Sequence, residues 1–151
     1  MFGKSSSANK TATYAAHYWE RVWFDLATHN WRSLSLVASQ PGTHTLQAAN
    51  ALRDAALLYK DGTVLVIDGS RATPADLQTL QDVMADGLWA GERVIIALGD
   101  PLEHATSIPL ARSTDASVLC VVLTVPLLEH TRSVVRAVGD SRFVGSVTFE
   151  P

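Results

Sequence analysis

Apolar residues gather in five short runs along the chain, at 33–38, 63–68, 93–98, 117–125 and 143–149. The first four are near-continuous aliphatic stretches rather than alternating ones, the pattern of strands covered on both faces. Between the runs, segments 45–59, 74–88, 102–113 and 127–138 carry apolar residues at helical spacing. Strands alternating with helices predict right-handed crossovers and a mostly parallel five-stranded sheet with helices on both faces, a three-layer α/β domain. Local signals agree. Pro74 stands at the start of its segment, where its missing N–H costs nothing, and Thr73 is placed to cap it. Asp61-Gly62 supplies the stop before the second run.

A further helix is predicted over 13–28, ahead of the sheet. Ala15, Trp19, Val22, Trp23 and Leu26 fall on one face of it, with Glu20 and Asp25 elsewhere. Three of the four tryptophans, Trp19, Trp23 and Trp31, lie in or just after this segment. Two roles suit such a face. It docks on its own sheet, or Tyr18, Trp19, Val22, Trp23 and Trp31 form a partner-binding surface, since Trp and Tyr are enriched at interface hot spots. Residues 1–12 read as a flexible polar tail, leaving 13–151 as a single domain.

Composition narrows the function classes. With 47% hydrophobic and 18% charged residues over 151 positions, the chain has the make-up of one globular domain with a proper core. A net charge of -3 argues against nucleic acid as a partner, because phosphate binding needs a basic footprint. The single cysteine, Cys120, excludes an intramolecular disulfide and a Cys-based zinc site, and its aliphatic run points to a buried core thiol. The longest apolar run is too short to insert in a membrane and is broken by Thr124 and Pro126. The first residues lack the apolar stretch of a signal peptide, so a cytoplasmic location is expected.

The candidate chemistry sits where the first strand meets the first crossover helix, in "SLVASQPGTHTLQAANAL". A strand, a Pro-Gly turn and an Ala-rich helix frame a phosphate-binding loop. Such a loop needs glycines that turn backbone N–H groups inward, a lysine for the β- and γ-phosphates and a hydroxyl for Mg²⁺. Pro41, Gly42, Thr43, His44 and Thr45 offer one glycine and no lysine. His44 stands near the lysine's place but is shorter and mostly neutral at pH 7. Thr43 or Thr45 is expected to cap the helix. The second strand ends in Asp68, where α/β proteins place ligand-binding groups, and a bond to the adjoining loop is its simpler role. The third strand stays aliphatic through Ala97, and Asp100 falls in a Gly-Asp-Pro turn. Scattered histidines and the lack of a G-x-S-x-G elbow support neither a metal site nor a hydrolase triad. Glu103-His104 and Glu129-His130 read as acids suited to helix starts.

In this order the residues resemble the bacterial tyrosine kinase family, whose ATPase domains work with polysaccharide co-polymerases and are cousins of the MinD/ParA-type P-loop ATPases. The family's R-S-L-x-V-T-S-A-Q-P-G-E-G-K-T-T-x-A-A-N is similar to Arg32-Ser33-Leu34 through Gln40-Pro41-Gly42 and Ala48-Ala49-Asn50. Its V-L-L-I-D-A-D-x-R-x-P resembles Val64 to Asp68 with Arg71 and Pro74, and its V-I-I-D-x-P-P resembles Val94-Ile95-Ile96. "LARSTDASVLCVV" and the closing "FVGSVTFEP" are similar to the family's later strands, so the likeness spans about 18–149. It implies a P-loop NTPase-like fold with strand order 2-3-1-4-5.

The departures fall on chemistry. The loop lysine and its glycine are absent, Ser70 replaces the second acid of D-x-D, and Ala97 replaces the third-strand acid. The ring-forming E-x-x-R-x-x-R would fall on His17, Glu20 and Trp23, and the tyrosines, Tyr14, Tyr18 and Tyr59, form no C-terminal cluster. The resemblance therefore implies a pseudo-ATPase without catalytic residues, cofactor or metal. It would act as an interaction subunit on a membrane-bound polysaccharide co-polymerase or synthase, or as a homodimer. Two other expectations stand beside it: a deviant ATPase that binds ATP and Mg²⁺ through His44, Thr45 and Asp68, and a MinD-like positioning factor in pilus or polar assembly.

Overall fold

Strands β1 (Ser33–Ala38), β2 (Val64–Gly69), β3 (Arg93–Leu98), β4 (Ala116–Val122) and β5 (Phe143–Phe149) pair in parallel, in the order β2-β3-β1-β4-β5. The computed structural model describes residues 11–122 and 128–149. Helices α1 (Thr11–Ala27) and α2 (Thr45–Leu58) cover one face of the sheet. Helices α3 (Leu77–Trp89), α4 (Ser107–Arg112) and α5 (Leu128–Val138) cover the other. The sheet is fully parallel and has the strand order expected of a P-loop NTPase-like frame.

The aliphatic runs become strands because each must fill two cores. Leu34 and Leu36 of β1 point to the α1/α2 side and Val37 to the α3/α4/α5 side, and β3 divides Ile95 and Ile96 in the same way. Alternation thus survives within an all-apolar run as a choice between two interiors. Before α3 the chain makes a short 3₁₀ turn, Pro74–Asp76. Thr73 donates both its N–H and its hydroxyl to the Asp76 carboxylate, which holds that acid below the usual carboxylate range. At the end of α2, Lys60 adopts the left-handed φ of 52° and Asp61 N–H bonds back to Ala56 O. The helix closes one residue before the expected Asp61-Gly62 stop, and Gly62 at φ 87° turns the chain toward β2.

Two expectations are corrected. The helix predicted over 102–113 shrinks to Ser107–Arg112, because Glu103 and His104 turn their N–H groups onto Asp100 O and Leu102 N–H onto the Asp100 carboxylate. Those bonds lock a turn where periodicity suggested a helix. The N-terminal helix starts at Thr11, so Thr11 and Ala12 belong to it; residues 1–10 of the expected tail lie outside the described residues, as do 123–127.

For the tryptophan face, the first of the two expected roles, docking on its own sheet, is the one observed. Val22, Trp23 and Trp31 are core residues. Trp23 Nε1–H donates to Asp61 Oδ2 at 3.0 Å, and Trp31 Nε1–H donates to Leu26 O at 2.9 Å. The two rings meet edge to face at 5.8 Å. The Arg93 guanidinium lies 5.4 Å from the Trp23 ring and 5.3 Å from the Trp31 ring, a doubled cation–π contact. Tyr18 and Trp19 are half-buried and pack on the same core. The face that resembled a partner surface holds α1 to its own sheet.

Cys120 is buried at the centre of β4, and burial pushes its thiol well above the ordinary cysteine range. The folded protein is therefore expected to resist a thiol-labelling disulfide reagent at pH 8 and to react in full once denaturant unfolds it. Rapid labelling of the native chain would contradict this.

Candidate functional site

The site is assembled from the turns that follow β1, β2 and β3, at the carboxyl ends of the strands, where open α/β sheets place ligands. After β1 the chain turns through Pro41 and Gly42, with Gly42 at φ 79°, and enters α2 at Thr45. Thr43 donates its hydroxyl to Gln40 O at 2.9 Å, closing the loop on itself. His44 occupies the N-cap position, is exposed and makes no side-chain cap bond. Thr45 is buried and donates its hydroxyl to Leu98 O at 2.8 Å, tying the helix start to the end of β3. Neither threonine caps α2, contrary to expectation. Each found a closer carbonyl, one in its own loop and one in the neighbouring strand.

At the end of β2, Asp68 Oδ1 accepts from Ser70 N–H at 3.1 Å and from the Ser70 hydroxyl at 2.6 Å. This is the loop-bracing role anticipated for a lone strand-end acid. Asp68 pairs in register with Ala97 of β3, which is buried and carries no acid. Just beyond, a Cβ on Gly99 would lie 2.6 Å from Ser70 O and 2.9 Å from the His104 ring. Only glycine lets the turns after β2 and β3 close against each other there.

Asp100, read from sequence as a turn residue, is a buried junction. Its side chain is 0% exposed, and His130 of α5 places Nε2 2.5 Å from its Oδ2. Asp100 Oδ1 accepts from Leu102 N–H at 2.9 Å. Sequence reasoning missed this pair; the Glu-His dipeptide at 129–130 marked the spot but was assigned to the helix dipole.

These turns enclose a cleft of about 950 Å³. It brings together all the loop residues picked out by sequence, Pro41, Gly42, Thr43, His44, Thr45 and Asp68, and adds Gln40, Gln47, Asn50 and Arg71. Tyr18, Trp19, Val22, Trp23 and Trp31 are not among its lining residues. Charge decides what the cleft can do. Its lining holds one guanidinium, Arg71, and the acids Asp54, Asp68, Asp100 and Glu103. Asp100 is buried against His130 and Asp54 lies 3.6 Å from Arg53, so Asp68 and Glu103 are the acids left to balance Arg71. The residues present do not fit Mg-ATP. Among the described residues no lysine lines it, the buried Thr45 hydroxyl is already spent on a carbonyl, and Thr45 N–H is turned onto Thr43 O rather than into the loop.

The sequence matches no protein-family model and no curated protein. Among solved structures the chain is similar to the BceF tyrosine kinase domain, with a TM-score of 0.62 at 12% identity, covering 93% of this chain and 76% of that one. That likeness shows a shared fold, an all-parallel sheet in the order β2-β3-β1-β4-β5 flanked by helices.

Proposed function

We propose that the chain is a non-catalytic pseudo-ATPase that serves as an interaction or regulatory subunit in bacterial exopolysaccharide biosynthesis and secretion, working in the cytoplasm on a membrane-bound polysaccharide co-polymerase or synthase. The observation that carries this reading is the cleft itself: its frame is kept, while its lining offers one guanidinium, already balanced by Asp68 and Glu103, and no lysine. Phosphoryl transfer depends almost wholly on positioning and on cations that offset charge on the transferring group. A cleft with this balance supplies little to offset that charge. The choice of pathway rests on the sequence resemblance and on the tyrosine kinase fold of the structural neighbour. A deviant ATPase is disfavoured because, of its candidate residues, Thr45 and Asp68 already bond to the protein and His44 lies exposed at the rim.

Incubation with labelled ATP and Mg²⁺ is expected to give no hydrolysis above the buffer rate and no label on Tyr14, Tyr18 or Tyr59. Capture of a polysaccharide co-polymerase from detergent-solubilised membranes is expected to proceed equally with and without nucleotide. Tyrosine labelling, or hydrolysis that Asp68→Asn abolishes, would contradict the proposal.

A further inference from the structure

Both glutamines outside the cleft are engaged by the fold. Gln78 donates to Asp82 Oδ1 at 2.9 Å and Gln81 to Ser113 Oγ at 3.1 Å. The side-chain amides that line the cleft, those of Gln40, Gln47 and Asn50, bond to no other described residue. Gln47 and Asn50 stand three positions apart on α2, so both project from the face of that helix that forms one wall. The turns after β2 and β3 bring the charged groups, Asp68, Arg71 and Glu103. Asp68 makes its bonds to Ser70 through Oδ1 and keeps Oδ2 free.

These groups discriminate by charge and by hydrogen-bonding capacity. An anion meets one guanidinium already balanced by Asp68 and Glu103, and a cation meets acids that Arg71 offsets. A nucleobase needs flat rings to stack on, and no Phe, Tyr or Trp lines the cleft. An apolar ligand would leave amides that both donate and accept without partners. A hydroxyl donates one bond and accepts two, which is the complement that amides, carboxylates and a guanidinium offer together. We propose that the cleft binds a neutral polyhydroxylated ligand, a short sugar chain, held through Gln47 and Asn50 of α2 and through Asp68 and Arg71 after β2.

Size and surface fit that class. A cleft of about 950 Å³ is at the upper end of small-molecule sites and has room for more than one sugar ring. Pro41 and Leu46 add aliphatic surface to the lining, on which the C–H faces of a pyranose can rest. The inference deepens the pseudo-ATPase reading and rests on it, because a site that held Mg-ATP would need the cations this one lacks.

Titration of the isotope-labelled full chain with maltotriose, cellotriose and mannotriose, followed through the side-chain amide resonances, tests it. The expected result is saturable movement of the Gln47 and Asn50 signals with at least one of the three, at a Kd of about 1 mM or tighter, while Gln78 and Gln81 stay still. Gln47→Ala and Asn50→Ala place the best helix former at exposed and half-buried positions of α2, so the fold is expected to persist with unchanged circular dichroism. Each variant should weaken binding about tenfold or more, the effect of one lost hydrogen bond to the ligand. No saturable response to any of the three sugars overturns the inference and leaves the pseudo-ATPase reading standing, as does a response that neither variant weakens. Saturable movement of the same amides with sub-millimolar Mg-ATP in place of the sugars overturns that reading, and the inference with it.

Discussion

Trp23→Ala is expected to cost about 3–5 kcal/mol of stability and to lower Tm by about 6–20 °C in a domain of this size. The substitution opens a cavity at a residue that is 0% exposed. It also strips a hydrogen-bond donor from Asp61 Oδ2, an edge-to-face partner from Trp31 and one of the two aromatic faces offered to Arg93. Trp23→Phe keeps most of the volume and loses the donor, so its penalty should be well under half as large. Trp89→Ala supplies the contrast: at 93% exposure its effect on stability is expected to fall within about 0.5 kcal/mol. Thermal melts of the three variants check this directly. A Trp23→Ala protein as stable as its parent, but altered in assembly, would return Trp23 to the role of an interface residue.

The second large effect is expected at His130. Replacing it with alanine leaves Asp100 Oδ2 buried without its partner, and an unsatisfied buried group costs about 1–3 kcal/mol. The loss should appear in two places, because the bond joins the first turn of α5 to the turn that floors the cleft. Amide exchange is expected to rise in α5 and across 100–104 together, while the β2–β3 ladder holds. His130→Gln retains a donor and should recover part of the stability. If His130→Ala and wild type unfold at the same denaturant concentration, the pair contributes nothing and the cleft floor is held by its backbone bonds alone.

How far the sequence carried depends on the range of each interaction. β1, β3 and β5 stood out at their observed ends, because strand position is written in a local aliphatic run bounded by turn residues. The crossover helices α2 and α3 were also legible, to within one residue at the end of each. Local patterning failed where a distant partner decided the outcome. The periodicity over 102–113 suited a helix, yet Asp100, drawn inward by a histidine 30 positions away, captured the backbone donors that the helix would have used. Thr45 met the criteria of a cap, but Leu98 O, 53 positions on, took its hydroxyl. The tryptophans illustrate the same limit: their spacing showed a face, and only the arrival of Asp61 and Arg93 made that face an interior.

In the cleft, the reading by residue type was sound for composition and incomplete for geometry. The absent lysine and the acid-free end of β3 were visible as missing letters, and the structure adds where the remaining groups are committed. Asp68 braces Ser70, Asp100 is bound to α5, and Thr43 closes its own loop. What stays exposed on the sides of the cleft is a mixture of carboxylates and Arg71. Losing two or three charge-assisted hydrogen bonds, at about 1.5–3 kcal/mol each, removes about two to six orders of magnitude from nucleotide affinity.

A thermal-shift titration with Mg-ATP measures that loss most directly. A ligand present at about 100 times its Kd adds about 2.7 kcal/mol of stability, which raises Tm by about 5–10 °C here. With a cleft lined by one guanidinium and no lysine, no shift is expected at any sub-millimolar concentration of Mg-ATP. A saturable rise of several degrees in that range, abolished by Asp68→Asn, would show that the cleft binds nucleotide after all and would contradict the pseudo-ATPase account.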